Sequence, residues 1–315
     1  MWEAEVLTKI WAQSIFGVIE WKTSVCVLFL GIVFTVAILW NEGSKSPTGG
    51  FIMANIIDLS KPIKYYPDEP FFMKVKIKHK NHKKGSLLLP FLGLPLNKRP
   101  KGFVGWADDT IKNMGVHSVT HMDAPWHYGE LSGGKKAASI DEVPLDWFYG
   151  DGVVIDMSHK KDMELITKSD LEQYVKNNNI KIKPGTIVLI RTDGDKRLGT
   201  KEYYSVGTGV SGEATEWLID QGVRVMGIDQ WGWDRPLAKT AKLASKEKNP
   251  DLFWEGHRVG IEKPYCHIEQ VVGLSQLPKD GFKVMAMPLP LEGCSASPIR
   301  LIAILDDEKE ANHED

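Results

Sequence analysis

The chain has 315 residues, 43% hydrophobic and 25% charged, enough for one large folded domain or two small ones. Its formal net charge of -2 excludes the strong basic field that nucleic acid requires. The three cysteines, Cys26, Cys266 and Cys294, have no C-x-x-C spacing, which excludes a disulfide framework and a thiolate zinc site; each reads as buried packing.

The first fifty residues stand apart. Residues 23–40 carry no charge, and Trp21 and Trp40 bracket them like interfacial aromatics. About 20 residues with Glu3, Glu5 and Glu20 precede the run, and no A-x-A site follows, which argues against a cleaved signal peptide. The expectation is an N-terminal apolar helix that anchors the chain to a membrane, followed by a Gly/Ser/Pro linker, with residues 1–52 as one segment. Lys9 and Lys22 compete with Lys45, so orientation stays open. Met53 opens a folded-looking stretch and is an alternative start, which would leave a cytoplasmic protein.

Residues 56–60 predict a short strand ending in a polar turn. Residues 74–85 alternate lysines with Val75, Ile77 and His79, the pattern of an exposed strand running into a loop, with His79 and His82 in solvent. Residues 152–157 predict a buried strand. Thr167 to Asp170 open a helix through Asn177, with Leu171, Tyr174 and Val175 at helical spacing. Pro184-Gly185 turns the chain into a strand at 186–191. Ser211-Gly212-Glu213 start a second helix with Ala214, Trp217 and Leu218 on its apolar face and Gly222 as its stop. Residues 223–228, 285–289 and 301–305 predict further strands. Strands outnumber helices, so residues 53–306 read as an α/β or α+β domain with a strand-rich core, and residues 307–315 as an acidic tail.

The chemistry concentrates in His117-Ser118-Val119-Thr120-His121-Met122-Asp123-Ala124-Pro125-Trp126-His127. His117, His121, Asp123 and His127 share odd parity, which puts them on one face of an extended chain. His117 and His121 would also meet at i, i+4 on a helix, but Pro125, Val119 and Thr120 favour the extended form. Imidazole nitrogens with a carboxylate oxygen suit Zn²⁺, Mn²⁺ or Fe²⁺. Two His and one Asp leave a position for water, whose pKa a bound ion lowers toward about 7. His127 either ligates or shuttles a proton.

A second signal is His257 with Glu269, useful because hydrolytic sites often hold two ions about 3.5–4 Å apart. His267 is expected to pack or to support a ligand. Trp231-Gly232-Trp233-Asp234-Arg235-Pro236 follows a strand end, where loops build sites. Trp231 and Trp233 either stack on a planar substrate, with Arg235 near its carboxylate, or pack the loop. Trp126, Phe253 and Trp254 are placed at the border of a pocket.

These residues resemble the cyclase family of metal-dependent hydrolases, which includes bacterial kynurenine formamidase and isatin hydrolase. The family motif is H-x-G-T-H-x-D-x-P-x-H-F; here Val119 stands for the Gly and Tyr128 for the Phe. Ile57-Asp58-Leu59-Ser60, the segment 211–229 and the His257 to Glu269 spacing add to the resemblance, which covers nearly all of 55–305. It implies a swivelling β/β/α fold, usually dimeric. It also implies one ion on His117, His121 and Asp123, a second on Asp123, His257 and Glu269, and His127 as general acid/base. The implied cofactor is one or two ions of Zn²⁺ or Mn²⁺, and the implied reaction is hydrolysis of a formamide or cyclic amide. A lactone hydrolase, a ring-closing dehydratase on the same ions, and a non-catalytic metal- or ligand-binding protein are the alternatives.

Overall fold

A computed structural model describes residues 55–305. The apolar run at 23–40, the linker, Cys26 and the acidic tail lie outside the described residues. Among the described residues, no helix is long and apolar enough to cross a membrane.

The core is a mixed α/β arrangement built on one nine-stranded sheet. Its strands are β1 (Asn55–Asp58), β2 (His121–Asp123), β3 (Tyr149–Asp156), β4 (Ile187–Arg191), β5 (Val225–Ile228), β6 (Cys266–Glu269), β7 (Phe282–Met285), β8 (Ala296–Pro298) and β9 (Ile302–Leu305). The spatial order is β1-β9-β7-β3-β4-β5-β6-β2-β8. The four central strands β3 to β6 run parallel, and the flanking pairs are antiparallel. The parallel strands are near-continuous apolar runs because both of their faces are covered.

Alternation along the strands divides the core in two. Val154, Leu189, Val225, Ile268 and Met122 point to one side, where Phe148, Leu274 and Leu301 complete a cluster. Ile155, Val188, Ile190 and Met226 point to the other, against helices α2 (Lys168–Asn177) and α3 (Gly212–Asp220) through Leu171, Ala214 and Leu218. Each helix starts where a side-chain oxygen satisfies a free backbone N–H. Thr167 forms a reciprocal capping box with Asp170, and Ser211 Oγ accepts from the Ala214 N–H at 3.2 Å.

Three expectations change. The strand read at 285–289 is β7, and it ends at Met285; Pro288 and Pro290 cannot donate to a ladder, leaving only an isolated bridge from Pro288 to Ile299. The all-extended reading of 117–127 is replaced by a turn, the three-residue strand β2, and a single helical turn α1 (Pro125–Tyr128). Pro125 causes the switch: its fixed φ suits the first helical position. Two further helices, α4 (Leu237–Glu247) and α5 (Glu255–Glu262), were not read from the sequence.

Candidate metal centre and its cavity

Strand register builds the centre. β2 lies antiparallel to β6 with Asp123 opposite His267 and His121 opposite Glu269. Residues two apart share a face, so all four side chains point to the helix side of the sheet, while Met122 and Ile268 between them enter the opposite core. Helix α5 then lowers His257 onto the same spot. His257 Nε2 lies 3.8 Å from Asp123 Oδ2 and 3.7 Å from Glu269 Oε1. His121 Nε2 lies 3.3 Å from Asp123 Oδ1 and 3.5 Å from Glu269 Oε2.

His117 and His127 form the outer half. The turn before β2 puts His117 Nδ1 2.8 Å from Asp123 Oδ1, and α1 puts His127 Nε2 3.6 Å from Asp123 Oδ2. Their rings are 4.3 Å apart. Both are partly open, whereas His121, Asp123 and His267 are buried. Asp123 therefore joins a deep group with His257, His267 and Glu269 to a shallow group with His117 and His127.

The residues fit a divalent cation. Burying His121 Nε2, His267 Nε2 and both Asp123 oxygens without hydrogen-bond partners is costly, and a cation among them would satisfy all four atoms. The remote ring nitrogens are held in the manner of metal-binding imidazoles. His121 Nδ1 is 2.6 Å from the Val119 carbonyl, and His257 Nδ1 is 2.5 Å from Asp234 Oδ2. The contact is made with Val119 in place of the family Gly, and the Val119 side chain is buried. Asp234 also accepts from the Gly256 and His257 backbone N–H groups, pinning the start of α5. The Trp233 N–H donates to Glu269 Oε1 at 2.8 Å.

The electrostatics are those of a site awaiting a cation. Burial would raise the Asp123 pKa, but the imidazoles of His117, His127 and His121 hold it well below the usual carboxylate range. Burial likewise opposes ionisation of Glu269, yet the neighbouring imidazoles of His267 and His121 take it down to about 2. Burial lowers His127 to about 4, against the pull of Asp123 and with the help of His117 and His257. Such an imidazole is neutral at pH 7 and free to accept a proton.

A cavity of about 430 Å³ opens on the shallow side. Its walls are largely apolar and aromatic, with Phe72, Tyr203, Tyr204, Trp231, Leu237 and Trp254 prominent. Trp254 stacks on His257 at 4.3 Å with a positive φ of 59°, a conformation uncommon for a bulky side chain, held here because it starts α5.

The structure sorts the residues expected from sequence. His117, His121, Asp123, His127, His257 and Glu269 all converge. Trp231, Arg235 and Trp254 line the cavity, whereas Trp126 and Phe253 are not among its lining residues. Trp233 is a correction: it is fully buried, donates through Nε1 to Thr215 Oγ1 and stacks on His267 at 5.5 Å. Arg235 lines the cavity, and its Nη2 donates to Glu255 Oε1 at 3.0 Å. His267 packs against Trp233 and Tyr128, as expected of a packing residue, and also belongs to the deep group. Asp234 was missed, hidden between two residues singled out for other reasons. His267-Ile268-Glu269 on a buried strand carried a usable signal, because parity alone puts His267 and Glu269 on one face.

Fold and site together define a metal-binding α/β protein with a small-molecule cavity. Residues 57–235 match the Cyclase family model, and the chain belongs to that family. A kynurenine formamidase from Bacillus cereus is 25% identical over 189 residues, 60% of this chain and 76% of that protein; one from Bacillus mycoides is 27% identical over the same length. An isatin hydrolase bound to the product analogue thioisatinate superposes with a TM-score of 0.60 at 20% identity, covering 91% of this chain and all of the other. Isatin hydrolase A from Ralstonia solanacearum gives 0.58 at 22% identity, with 90% and 98% covered. At these identities the two structures establish the shared fold.

Proposed function

We propose that the chain is a divalent-metal-dependent hydrolase acting on a carbon–nitrogen bond other than a peptide bond, in a formamide or a cyclic amide. The observation that carries this reading is Asp123: buried, with both oxygens unpartnered, at the convergence of five imidazoles and Glu269 beneath an apolar cavity. The names of the relatives, formamidase and isatin hydrolase, agree with it.

His117, His121 and Asp123 would hold one ion, and Asp123, His257 and Glu269 a second, with Zn²⁺ or Mn²⁺ suited to such nitrogen and oxygen donors. A divalent ion supplies Lewis acidity and acidifies water to a pKa of about 7. His127, neutral and at the cavity mouth, takes the proton from the attacking water and returns it to the leaving nitrogen. Trp231 and Trp254 flank the substrate and exclude water. Residues 53–306 form the catalytic domain, of the swivelling β/β/α type and working as a homodimer, and residues 23–40 would tether it to a membrane.

Elemental analysis coupled to a panel of formamides, cyclic amides and lactones tests the reading. Metal-loaded protein is expected to turn over an amide. Full metal loading with no turnover across the panel would leave a binding protein instead.

A further inference from the structure

His267 has no part in the reaction just described, yet it is closely surrounded. It is fully buried on β6, with Nε2 3.1 Å from Asp123 Oδ2 and 3.3 Å from Glu269 Oε1 and with no hydrogen-bond partner. Its ring stacks against Trp233 at 5.5 Å and Tyr128 at 5.3 Å, which leaves no room to turn away.

The other nitrogen meets two hydroxyls. Nδ1 lies 3.2 Å from the Tyr128 hydroxyl and 3.2 Å from the Tyr265 hydroxyl. The Tyr265 hydroxyl donates to the Gly256 carbonyl at 3.0 Å, and the Tyr128 hydroxyl donates toward the Asp123 carbonyl at 3.4 Å. The Tyr265 proton goes to the shorter of its two contacts, so the Tyr265 oxygen is placed to accept from Nδ1. With the hydrogen on Nδ1, the Nε2 lone pair faces two carboxylate oxygens, and a cation between them would satisfy all three atoms.

The spacing is compatible with four donors around one ion. Donor atoms about 2.0–2.1 Å from an ion in tetrahedral geometry lie about 3.3–3.4 Å apart. The four imidazole-to-carboxylate separations in the deep group are 3.1, 3.3, 3.7 and 3.8 Å, and all of its donor atoms lie within 4.8 Å of one another. We propose that His267 is a fourth protein ligand, which closes the Asp123, His257 and Glu269 position, and that Tyr128 and Tyr265 are positioning residues that fix its tautomer. A position with four protein ligands has no room for water, whereas a position on His117, His121 and Asp123 keeps one open. The deep ion is then tightly held and structural, and the shallow ion does the chemistry. This rests on the reading that the cluster binds metal.

The test is made on the full chain with Zn²⁺ as probe. X-ray absorption at one equivalent is expected to count two imidazoles, from His257 and His267, and a chelator titration to show one tight and one weaker ion. His267→Leu, which keeps the bulk, is expected to weaken the tight ion at least about a hundredfold, and Tyr128→Phe and Tyr265→Phe each about tenfold, the range for partners that orient a ligand. A tight ion with one imidazole in the wild type, or unchanged affinity in His267→Leu, would overturn the proposal. The wild-type count needs no variant to fold. A wild type that binds no Zn²⁺ at all would instead sink the parent reading.

Discussion

Asp123 on β2 and His267 on β6 are register partners across an antiparallel pair, and their side chains meet at 3.1 Å in the protein interior. Neighbouring strands place an acid against a base, both buried, and His117, His121, His127 and His257 are within reach of the same carboxylate. Asp123→Asn preserves shape while removing the charge. It is expected to lose both ions and to lower kcat/KM by about a thousandfold or more. Elemental analysis after dialysis and steady-state kinetics check this; retained metal with full turnover would defeat the proposed function.

His127 is expected to affect turnover without affecting metal content. His127→Gln should lower kcat by about 10²–10⁴-fold, the usual contribution of a positioned acid/base, with KM little changed. Burial holds its pKa at about 4, so the neutral form prevails above that pH. The wild-type kcat/KM is expected to show no acid limb from His127 between pH 5 and 8, as pH–rate profiles would reveal.

Arg235 is the one lysine or arginine among the described cavity-lining residues, and Glu255 neutralises it. Neutral aromatic amides are expected to outperform amides bearing a carboxylate. Glu255→Gln frees the guanidinium and should raise kcat/KM for the anionic substrate by about tenfold relative to a neutral one, the equivalent of one exposed-to-buried charge contact. Paired kinetics with a neutral and an acidic anilide decide it; an unchanged ratio would place Arg235 away from the substrate.

Asp229 carries a pH signature in stability. It is buried at the end of β5, and burial raises its pKa to about 7 despite hydrogen bonds from the Thr192 hydroxyl and from the Thr192 and Asp193 backbone N–H groups. A folded pKa above the unfolded one means that stability is fully present below about pH 4 and is lost as pH rises toward 7. Within that window the contribution should fall by about 1.4 kcal/mol per pH unit. Denaturant melts of wild type and Asp229→Asn at pH 5 and 7 should differ in slope, the variant lacking this loss.

Much of the fold was legible because central strands and capped helices carry local signals. Val188 to Ile190 are continuous apolar residues, and Thr167 with Asp170 spell a capping box. The motif residues of the site were legible for a related reason: His117, His121, Asp123 and His127 are close in sequence. What escaped depended on contacts between distant segments. Asp234 matters only because α5 docks on it, and nothing near Arg235 in the chain announces Glu255 as its partner. Helix α4 escaped because Leu237 to Glu247 follows Pro236 with no capping side chain. From sequence, His267 is expected to pack or to support a ligand; the register with Asp123, invisible in the chain, brings its ring against the carboxylate.

The centre draws its donors from two stretches of chain. His117, His121 and Asp123 arrive on β2 and the turn before it, whereas His257, His267 and Glu269 arrive much later on α5 and β6. An unfolded chain cannot present both stretches at once, so an ion held between them favours the folded state alone, and its binding free energy becomes folding free energy. The short strand β2, only three residues long, sits between β6 and β8 near the sheet's edge. A bound ion would act there as a rivet, and a chelator should loosen this margin of the sheet first, in hydrogen exchange, while the parallel strands at its middle stay closed.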